Sequence, residues 1–417
     1  MSQFSPEFVD VRMRGFPMRS RVVDATTWVD SHSAPLPAES PALDRAVGRV
    51  LATDVQSGID VPPFDRAAMD GFALRAVDTD GATTYNPLPL RLIGESKAGE
   101  EFPHQVRPGT AVRIATGAPM PVGADAVLPA ESTEASDEFV HITETVPPGK
   151  HIGSCGEDIL AGRTILKASR RLRPQDVGLL ASVGLNCIEV IGRPRVRIVI
   201  TGNEIVHSGQ ARTAFQVFDA NSPTLAGLIA RDGGRLERVI FCQDNESNIR
   251  DALTCRGADV ILVSGGSSVG PDDFAPSLLA SLGELSIHGV ALRPSSPSGM
   301  GRIASTLVFL LPGNPVSCLC AYDFFAGRAV RLLGGRSSEW PYVKRRVVLR
   351  EKIASAIGRV DYCRVVVEGD SGRPIAVSGA SVLSSTTVAD GFVLVPEDSE
   401  GYPPAAEVTV FLYDSPA

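Results

Sequence analysis

The amino-acid sequence predicts a multidomain protein of mixed α/β and β architecture. A chain of 417 residues is longer than a single hydrophobic core usually supports, about 250 residues, so several domains are expected. Between about Arg195 and Leu333, apolar strands alternate with helical segments, which is typical of a mostly parallel sheet covered by helices. Short apolar runs broken by Pro and Gly occupy about 56–151 and the part after Tyr342. We therefore expect an α/β domain, a compact β-rich domain, and a final small β barrel or sandwich.

Composition excludes several other classes of protein. The hydrophobic fraction of 43% and the charged fraction of 21% are those of an ordinary globular protein rather than a disordered chain. A net charge of -8 offers no surplus of Lys and Arg for nucleic acid. The 7 cysteines lack the spacing of a disulfide framework or a zinc site, so we expect reduced thiols. No apolar run reaches the ~18 residues of a membrane span, which predicts a cytoplasmic protein without membrane contact.

Two segments predict a small helical element. Residues 22–54 place apolar side chains at helical spacing and end in a strand-like run. The stretch RRLRPQDVGLLASVGLNCIEVIGRP predicts a helix followed by a strand, with Pro174 in the first helical turn, where its missing N–H costs nothing. We expect the second segment to pack beside the first.

The most informative motif is ADVILVSGGSSVGPDDF, a buried strand that runs into glycines and then into Asp272 and Asp273 near a helix start. Glycines let consecutive backbone amides turn inward, and a helix N-terminus adds partial positive charge, so the loop is suited to a phosphate or pyrophosphate. A purely structural turn would need one glycine, not three in six positions. The spacing fits neither GxxxxGK[ST] nor GxGxxG.

A second motif, LLPGNPVSCLCAYDFF, joins an apolar strand to an apolar helix through a proline-rich turn. Pro315 suits a first helical turn, and the amides after it form another possible anion-facing end. The alternative is a stiff connector without a ligand. Cys318 and Cys320 are interpreted as small buried residues.

Several acids and one threonine fall at strand ends or turns. Taken alone, each is more typical of a turn than of a catalytic site, as in the Asp-Gly pair at Asp70. Together, carboxylates at strand ends predict Mg²⁺ bound beside a phosphorylated ligand. The candidates are Asp70, Thr116, Asp158, Glu204, Asp244 and Asp273.

The order of these motifs resembles the molybdopterin molybdenumtransferase family, MoeA-like proteins that include the gephyrin E domain. The resemblance runs through ALDRAVGRVLATDV, DRAAMDGFALR, RIATGAPMPVGADAV, GEDI, TGNEIV, SGGSSVG and LPGNPVS to the C-terminal barrel. It implies a MoaB/MogA-like three-layer α/β domain, a β-rich inserted domain, a small helical domain and a C-terminal β barrel. The implied domains are 18–55 with 160–192 (helical), 56–159 (β-rich), 193–338 (molybdopterin-binding) and 339–417 (barrel).

The resemblance also implies an activity and an assembly. Members of the family insert molybdate into adenylylated molybdopterin and release AMP, with Mg²⁺ as cofactor. The implied assembly is a homodimer whose active-site cleft lies between the α/β domain of one subunit and the β-rich domain of its partner. Transient contact with other enzymes of molybdenum cofactor synthesis is a further expectation.

The family's functional residues carry over to matching positions of this sequence. The implied metal ligands are Asp70, Glu204, Asp244 and Asp273, with Asp158 and Thr116 as further members of the site. The implied phosphate loop consists of Ser264, Gly265, Gly266 and Gly270, and the turn that faces molybdopterin contains Pro312 and Pro315.

The chain also departs from the family pattern. A Lys-Pro-Gly-Lys-Pro run is replaced by Arg293, Pro294, Ser295, Ser296 and Pro297, so one lysine has become Arg293 and the other Ser296. Loss of one charge-assisted contact predicts weaker anion binding by about 1.5–3 kcal/mol unless Arg364, which matches a family arginine, compensates. Further departures are Asn203 for Asp, Ser154 and Cys155 for basic residues, and Ala380 for a serine, with Ser381 and Ser384 nearby as candidate binding residues.

These departures leave an alternative to the enzyme. A non-catalytic paralogue that binds molybdopterin or molybdate would tolerate the missing lysine, whereas the retained carboxylates favour the transferase. A role as an oligomeric interaction platform has no support in the sequence. A fused adenylylating activity is not expected, because the chain contains a single α/β domain of the relevant type. The choice between molybdate and tungstate stays open.

Overall fold

A computed structural model describes Phe16, residues 18–266, Gly270, residues 273–376 and residues 379–414. Asp272 lies outside the described residues. The chain divides into two compact units. The larger unit contains the described residues of Met1–Glu39, Gly48–Val50 and Val190–Ala417, and the smaller contains Ser40–Val47 and Leu51–Glu189.

Eight α-helices are found in the part of the chain that the structure describes. They are α1 (Val22–His32), α2 (Pro174–Ser182), α3 (Asn221–Asp232), α4 (Glu246–Thr254), α5 (Ala275–Leu282), α6 (Pro315–Ala321), α7 (Gly327–Leu333) and α8 (Ser384–Val388). A π-helical segment, Tyr322–Ala326, joins α6 to α7, and short 3₁₀ turns occur at Leu43–Arg45, Ala76–Thr79 and Ala130–Ser132.

The strands of the first half of the chain are short. They are β1 (Ala38–Glu39), β2 (Val55–Gln56), β3 (Arg66–Ala67), β4 (Gly71–Leu74), β5 (Leu88–Ser96), β6 (Thr110–Ile114), β7 (Ala126–Pro129), β8 (Thr133–Ala135), β9 (Phe139–Ile142), β10 (Ile152–Gly153), β11 (Thr164–Leu166) and β12 (Val190–Ile191).

The strands of the second half form two larger sheets. They are β13 (Arg195–Thr201), β14 (Ile205–Val206), β15 (Val217–Phe218), β16 (Arg235–Cys242), β17 (Val260–Ser264), β18 (Glu284–His288), β19 (Leu292–Arg293), β20 (Gly299–Ile303), β21 (Thr306–Leu311), β22 (Val343–Leu349), β23 (Ile353–Ala354), β24 (Val360–Glu368), β25 (Ser371–Ala376), β26 (Gly391–Val395), β27 (Gly401–Tyr402) and β28 (Glu407–Leu412).

The predicted parallel sheet lies in the larger unit. Its six strands have the order β16-β13-β17-β21-β20-β18; the first four are parallel to one another, β20 pairs antiparallel with β21, and β18 pairs antiparallel with β20. Along β17, Val260 and Leu262 belong to one buried apolar cluster, while Ile261 and Val263 belong to another. Because successive side chains point to opposite faces of a sheet, two clusters mean that both faces are covered. The three-layer α/β prediction is confirmed.

The predicted C-terminal barrel is a closed ring of five strands. Strands β24, β25, β22, β28 and β26 pair in that order, and β26 pairs back with β24. Val347, Val365 and Val410 are among the buried residues of its interior cluster. Closure removes exposed sheet edges, which suits a small all-β region that must be stable with a small core.

The smaller unit confirms the predicted β-rich region. Six strands pair in the order β7-β4-β6-β5-β9-β8. Phe72 and Leu74 of β4 pack in one apolar cluster with Leu128 and Ile142, whereas the intervening Ala73 belongs to another cluster. This alternation is the expected consequence of the period-two geometry of a strand.

The helical segments are confirmed only in part. Helix α1 forms within the predicted segment, and α2 begins at Pro174. The stretch PALDRAVGRV, which has helical spacing, forms only the 3₁₀ turn Leu43–Arg45. Its backbone bonds elsewhere: Leu43 N–H donates to Asn186 O at 3.1 Å, and Ile188 N–H donates to Pro41 O at 3.3 Å. This pairing competes with an α-helix for the same backbone groups.

The cysteine and membrane expectations can also be compared with the structure. All seven cysteines are free thiols, and Cys318 and Cys320 are buried, as predicted. Among the described residues, no helix has the length and apolar character needed to cross a membrane.

Candidate active site

The glycine motif follows β17 as a tight loop that only glycine can form. Gly265 has φ +98°, and a β-carbon there would lie 2.4 Å from Thr201 O. Its N–H donates to Leu311 O at 3.2 Å, which ties the loop to the neighbouring strand β21. Farther along, Gly270 N–H donates to Asp273 Oδ2 at 2.7 Å. The Thr201 hydroxyl beside Gly266 is buried and lacks a hydrogen-bond partner among the described residues.

The loop borders a cavity of about 690 Å³, called here the glycine-loop cavity. It lies where β13, β17 and β21 end, the edge of an open α/β sheet at which ligands bind. Among the predicted residues, those that line it are Glu204, Asp244, Ser264, Gly265, Gly266, Asp273, Pro312, Pro315 and Ser381. The structure thus brings most of the predicted phosphate loop and three of the predicted metal ligands to one cavity.

The cavity is strongly acidic. Glu204, Asp244 and Asp273 are joined by Asp219, and no Lys, Arg or His occurs among the described residues of its lining. Within the described part of the chain, no group of three or more His, Cys, Asp or Glu side chains is arranged to hold a metal ion. An anionic ligand would therefore need an accompanying cation, and that cation would need ligand oxygens in addition to the protein's carboxylates.

Asn221 and Asp219 support this cavity and were missed by the sequence analysis. Asn221 Nδ2 donates both to Ser264 Oγ and to Gly313 O at 2.8 Å, so one amide joins the end of β17 to the proline turn. The Asp219 carboxylate accepts from Asn221 N–H at 2.9 Å and from Ser222 N–H at 3.1 Å, capping the start of α3. The run Asp-Ala-Asn-Ser at the start of a helix is a capping signal that could have identified Asp219.

At the start of α6, the second predicted anion-binding position, one backbone N–H donates a hydrogen bond within the protein. Val316 N–H, in the first turn of α6, donates to Ala380 O at 3.0 Å, and Cys318 N–H donates to Asn314 O at 2.9 Å. Pro315 occupies the first helical position, as predicted. This bonding favours the stiff-connector interpretation for the start of α6, while Pro312 and Pro315 still shape the cavity wall.

A second cavity, of about 900 Å³, adjoins the first and is called here the arginine cavity. Its lining includes Arg19, Arg293, Ser296 and Arg359. Pro297, Pro312 and Asn314 line both cavities. The larger unit therefore carries an acidic cavity and a cavity with cationic side chains that share a wall.

Arg293 is paired rather than available as an isolated cation. Its Nε donates to Asp361 Oδ1 at 3.0 Å, and its Nη2 donates to Asp361 Oδ2. Arg359 Nε lies 3.2 Å from Asp361 Oδ1, and the Ser355 hydroxyl donates to Asp361 Oδ2 at 2.7 Å. Asp361 is fully buried. Two guanidinium groups around one carboxylate leave one net positive charge beside the cavity.

The two serines that replace the glycine and second lysine differ in their bonding. Ser295 is buried and donates to Ser317 O at 2.8 Å, so it is part of the loop's internal structure. Ser296 Oγ is buried and has no hydrogen-bond partner among the described residues. Because buried polar atoms are usually paired, an unpaired hydroxyl at a cavity wall is suited to a ligand.

Three predicted residues of the larger unit lie outside both linings: Gly270, Arg364 and Ser384. Arg364 is fully buried on β24, and a β-carbon at Gly379, which lines the arginine cavity, would lie 3.8 Å from Arg364 Nη2. Ser384 begins α8, where its carbonyl accepts from Thr387 Oγ1 at 2.9 Å. Arg364 thus lies behind the cavity wall.

The remaining predicted residues belong to the smaller unit. Asp70 Oδ1 accepts from Thr116 N–H at 2.6 Å and from Thr116 Oγ1 at 2.9 Å. These two hydrogen bonds lower the pKa of Asp70, the backbone bond having the larger effect, and keep the carboxylate ionised. Asp70 lines a cleft of about 400 Å³ with Glu95 and Arg113. Asp158 is exposed and outside that lining; its N–H donates to Val61 O at 3.0 Å.

Comparison with known proteins accounts for nearly the whole chain. Residues 20–184 match "MoeA N-terminal region (domain I and II)", residues 197–331 match "Probable molybdopterin binding domain", and residues 346–413 match "MoeA C-terminal region (domain IV)". Molybdopterin molybdenumtransferase 2 of Mycobacterium tuberculosis is 34% identical over 370 residues, which cover 85% of this chain and 90% of the relative. The chain belongs to the molybdopterin molybdenumtransferase family.

A further relative and a solved structure also match over most of this chain. The molybdopterin molybdenumtransferase of Nostoc sp. is 34% identical over 76% of this chain and 74% of its own length. The crystal structure of a molybdopterin biosynthesis MoeA protein from Pyrococcus horikosii matches with a TM-score of 0.80 and 34% identity, over 95% of this chain and 100% of that one. The predicted fold, the family and a role as an enzyme of molybdenum cofactor biosynthesis are confirmed.

Proposed function

We propose that this member of the family inserts molybdate into adenylylated molybdopterin and releases AMP. The observation that carries the proposal is the pair of adjoining cavities in the larger unit, which share Pro297, Pro312 and Asn314. A reaction between two substrates needs two sites in contact, because correct placement of reacting groups supplies much of the rate. One cavity suits a phosphorylated organic ligand, and the other suits a small oxyanion.

The glycine-loop cavity would receive the pyrophosphate of adenylylated molybdopterin. Gly265 and Gly266 have φ of +98° and +54°, a backbone geometry in which a loop can present amides to an anion. The unpaired Thr201 hydroxyl is available to a phosphate oxygen beside this turn. Asn221 holds Ser264 and Gly313 in place, and so it acts as a positioning residue.

The acidic lining fits a magnesium ion that arrives with the substrate. Mg²⁺ is usually held by one or two carboxylates together with substrate phosphates and water, so the lack of a three-residue cluster among the described residues is compatible with it. Glu204, Asp244 and Asp273 are the residues of this unit that would hold it. The ion would neutralise phosphate charge that the carboxylates would otherwise repel.

The arginine cavity would receive molybdate. Arg293 and Arg359 supply one net positive charge after pairing with Asp361, and Ser296 supplies a neutral donor. The Arg293–Asp361 pair also fixes the cavity wall, because strand β19 and the barrel strand β24 pair there. We assign Arg293 a positioning role as well as an electrostatic one.

The proposed enzyme works as a homodimer in which Asp70 and Thr116 complete a site of the partner subunit. The support is the family plan together with the geometry of Asp70, an exposed carboxylate kept ionised by Thr116. Light scattering of the purified chain at micromolar concentration measures the assembly. A monomer that still turned over would contradict it.

The direct test incubates the purified chain with adenylylated molybdopterin, molybdate and Mg²⁺ and follows AMP release together with cofactor formation. We expect both products to appear together, and each to require molybdate and Mg²⁺. AMP formation in the absence of molybdate would indicate simple hydrolysis of the nucleotide. A chain that binds both substrates but forms neither product would overturn the proposed function in favour of a binding paralogue.

A further inference from the structure

Phe218 and Val217 add exposed apolar surface to the lining of the glycine-loop cavity. Both residues line it, and their side chains are 45% and 52% exposed. An isolated exposed apolar residue needs no explanation on a protein surface. Here, however, an exposed aromatic ring lines the same cavity as four carboxylates, so the cavity offers a ligand both polar and apolar contacts.

Hydrogen bonds of the residues before and after Phe218 fix its backbone. Strand β15, which contains it, pairs in parallel with β14. Val217 N–H donates to Glu204 O at 2.9 Å, and Asp219 N–H donates to Val206 O at 2.9 Å. Because the backbone of Phe218 is already ordered, its side chain loses little conformational freedom when a ligand covers the ring. The ring is therefore an effective contact surface.

Arg212 adds a cation beside the ring. Its guanidinium carbon lies 5.7 Å from the centroid of Phe218, within the range of a cation–π interaction. Arg212 is itself held by Nη1, which donates to Gln216 O at 2.9 Å. The ring is therefore anchored by its backbone and by a side chain, next to a cavity whose volume of about 690 Å³ is typical of sites for small organic ligands.

We infer that Phe218 is a stacking platform for a fused heteroaromatic ring of the substrate. This inference rests on the proposed function, since adenylylated molybdopterin carries two such rings, adenine and pterin. An aromatic side chain stacks against the face of either ring without requiring a particular pattern of hydrogen bonds. The glycine loop would hold the phosphates, with Mg²⁺ between them and the carboxylates, while Phe218 holds a ring.

The chain offers a matched control three residues away. Phe215 is 92% exposed and does not belong to the cavity lining. Phe215 has the same side chain and lies in the connection between β14 and β15, just before the strand that contains Phe218. A loss of ring binding that is specific to Phe218 therefore cannot be attributed to a general loss of surface aromatic residues.

The experiment measures binding by calorimetry with three probes: AMP with Mg²⁺, a free pterin, and ribose 5-phosphate with Mg²⁺ as the probe without a ring. Phe218→Leu should lower the affinity for at least one ring-containing probe by about tenfold, the change expected when one stacking contact is lost. Phe218→Tyr should retain the parent affinity, and Phe215→Leu should behave as the parent. Ribose 5-phosphate should bind equally to all four proteins.

The two sources of the ring are separated by the probes. A loss of affinity for AMP alone assigns the platform to adenine, and a loss of affinity for the free pterin alone assigns it to the pterin. Unchanged binding of both rings to Phe218→Leu, or no binding of either ring to the parent chain, overturns the inference. Turnover is measured separately. Parent-like kinetics in Phe218→Leu would overturn the platform alone. If ring binding depends on Phe218 but the parent chain releases no AMP, the proposed function alone is overturned.

Discussion

Asn203 and Asp244 exchange two hydrogen bonds across the ends of the neighbouring parallel strands β13 and β16. Asn203 N–H donates to Asp244 Oδ2 at 3.0 Å, and Asp244 N–H donates to Asn203 Oδ1 at 3.2 Å. Asn203 occupies the position of an aspartate in the family motif. The amide oxygen is the acceptor that Asp244 N–H requires, but unlike a carboxylate it adds no negative charge beside Asp244, which lines the glycine-loop cavity.

Asn203→Asp should therefore reduce the Mg²⁺ concentration needed for half-maximal turnover. The carboxylate keeps the acceptor and adds a charge, and unit charges 4 Å apart in water interact by about 1 kcal/mol, equivalent to roughly fivefold. The measurement is turnover against Mg²⁺ concentration, with Asn203→Ala as the variant that removes the acceptor without adding charge. An unchanged Mg²⁺ requirement in Asn203→Asp would contradict a metal beside Asp244.

Glu204→Gln and Asp273→Asn should each reduce Mg²⁺-dependent turnover by tenfold or more while the fold is retained, because removal of a metal-binding carboxylate weakens a charge-based contact. Glu204 is exposed, and an asparagine at 273 can still accept from Gly270 N–H. Glu246→Gln is the control, since Glu246 is exposed, pairs with Arg250 and does not line the cavity. Parent-like turnover in both test variants would remove the metal-site hypothesis.

The fold could be predicted where local pattern and tertiary structure agree. Strand β17 is an uninterrupted apolar run bounded by turn residues, and it forms as expected because a strand covered on both faces has that composition. The segment around Leu43 has helical spacing but forms a 3₁₀ turn, because its backbone bonds to Asn186 and Ile188. Partners more than 140 positions away in sequence leave no trace in a local pattern.

The candidate active site likewise contains features set by the local sequence and features set by contacts between distant residues. The glycine loop could be predicted because Gly265 needs a backbone conformation that other residues rarely adopt, a local requirement. The pairing of Arg293 with Asp361 could not, because 68 positions separate the two residues. Only the structure shows that a cation expected to bind an anion already has a buried carboxylate as its partner.

Thr116→Val should raise the pKa of Asp70 part of the way back toward its ordinary value. The substitution removes the hydroxyl donor at 2.9 Å and leaves the backbone N–H donor at 2.6 Å, which has the larger effect on this pKa. Carboxyl titration followed by NMR measures the change, and Thr116→Ser, which keeps a hydroxyl, should titrate as the parent. An identical titration of Asp70 in the valine variant would show that the hydroxyl contributes nothing.

Asp176→Asn should destabilise the smaller unit by about 1–2 kcal/mol near neutral pH, because the buried carboxylate accepts charge-assisted hydrogen bonds from partly exposed arginines. Asp176 accepts from Arg173 and Arg170, at 3.1 Å and 2.9 Å for their Nη2 atoms, and these bonds hold the pKa of Asp176 well below its ordinary value.

The sign of the pH dependence follows from that lowered pKa. The stabilisation by Asp176 is fully present above the unfolded value of about 3.9 and is lost as pH falls toward the folded value. Denaturant unfolding should therefore show a parent–variant difference that is constant near neutral pH and shrinks below about pH 4. Asp137→Asn, at an exposed aspartate, is the control. A difference that grew on acidification would contradict the assignment.

The choice between enzyme and binding paralogue depends on the arginine cavity, where Ser296 stands in place of a lysine. Arg293→Ala is a poor test of that cavity, because it removes two hydrogen bonds from the fully buried Asp361 and so disturbs the cavity wall as well as its charge. Ser296 is the better position. Its hydroxyl lacks a partner among the described residues, so its replacement breaks no hydrogen bond that the structure shows.

Ser296→Lys should tighten molybdate binding by roughly tenfold or more, because a dianion gains one charge-assisted hydrogen bond in a partly desolvated site. The cavity of about 900 Å³ has room for the longer side chain. Ser296→Met is the matched variant, similar in length but uncharged, and Arg359→Gln should weaken binding because Arg359 contributes to the net positive charge beside the cavity. If calorimetry finds the lysine variant no tighter than the methionine variant and Arg359→Gln without effect, this cavity does not hold the anion. The non-catalytic paralogue would then explain the altered loop better than the transferase does.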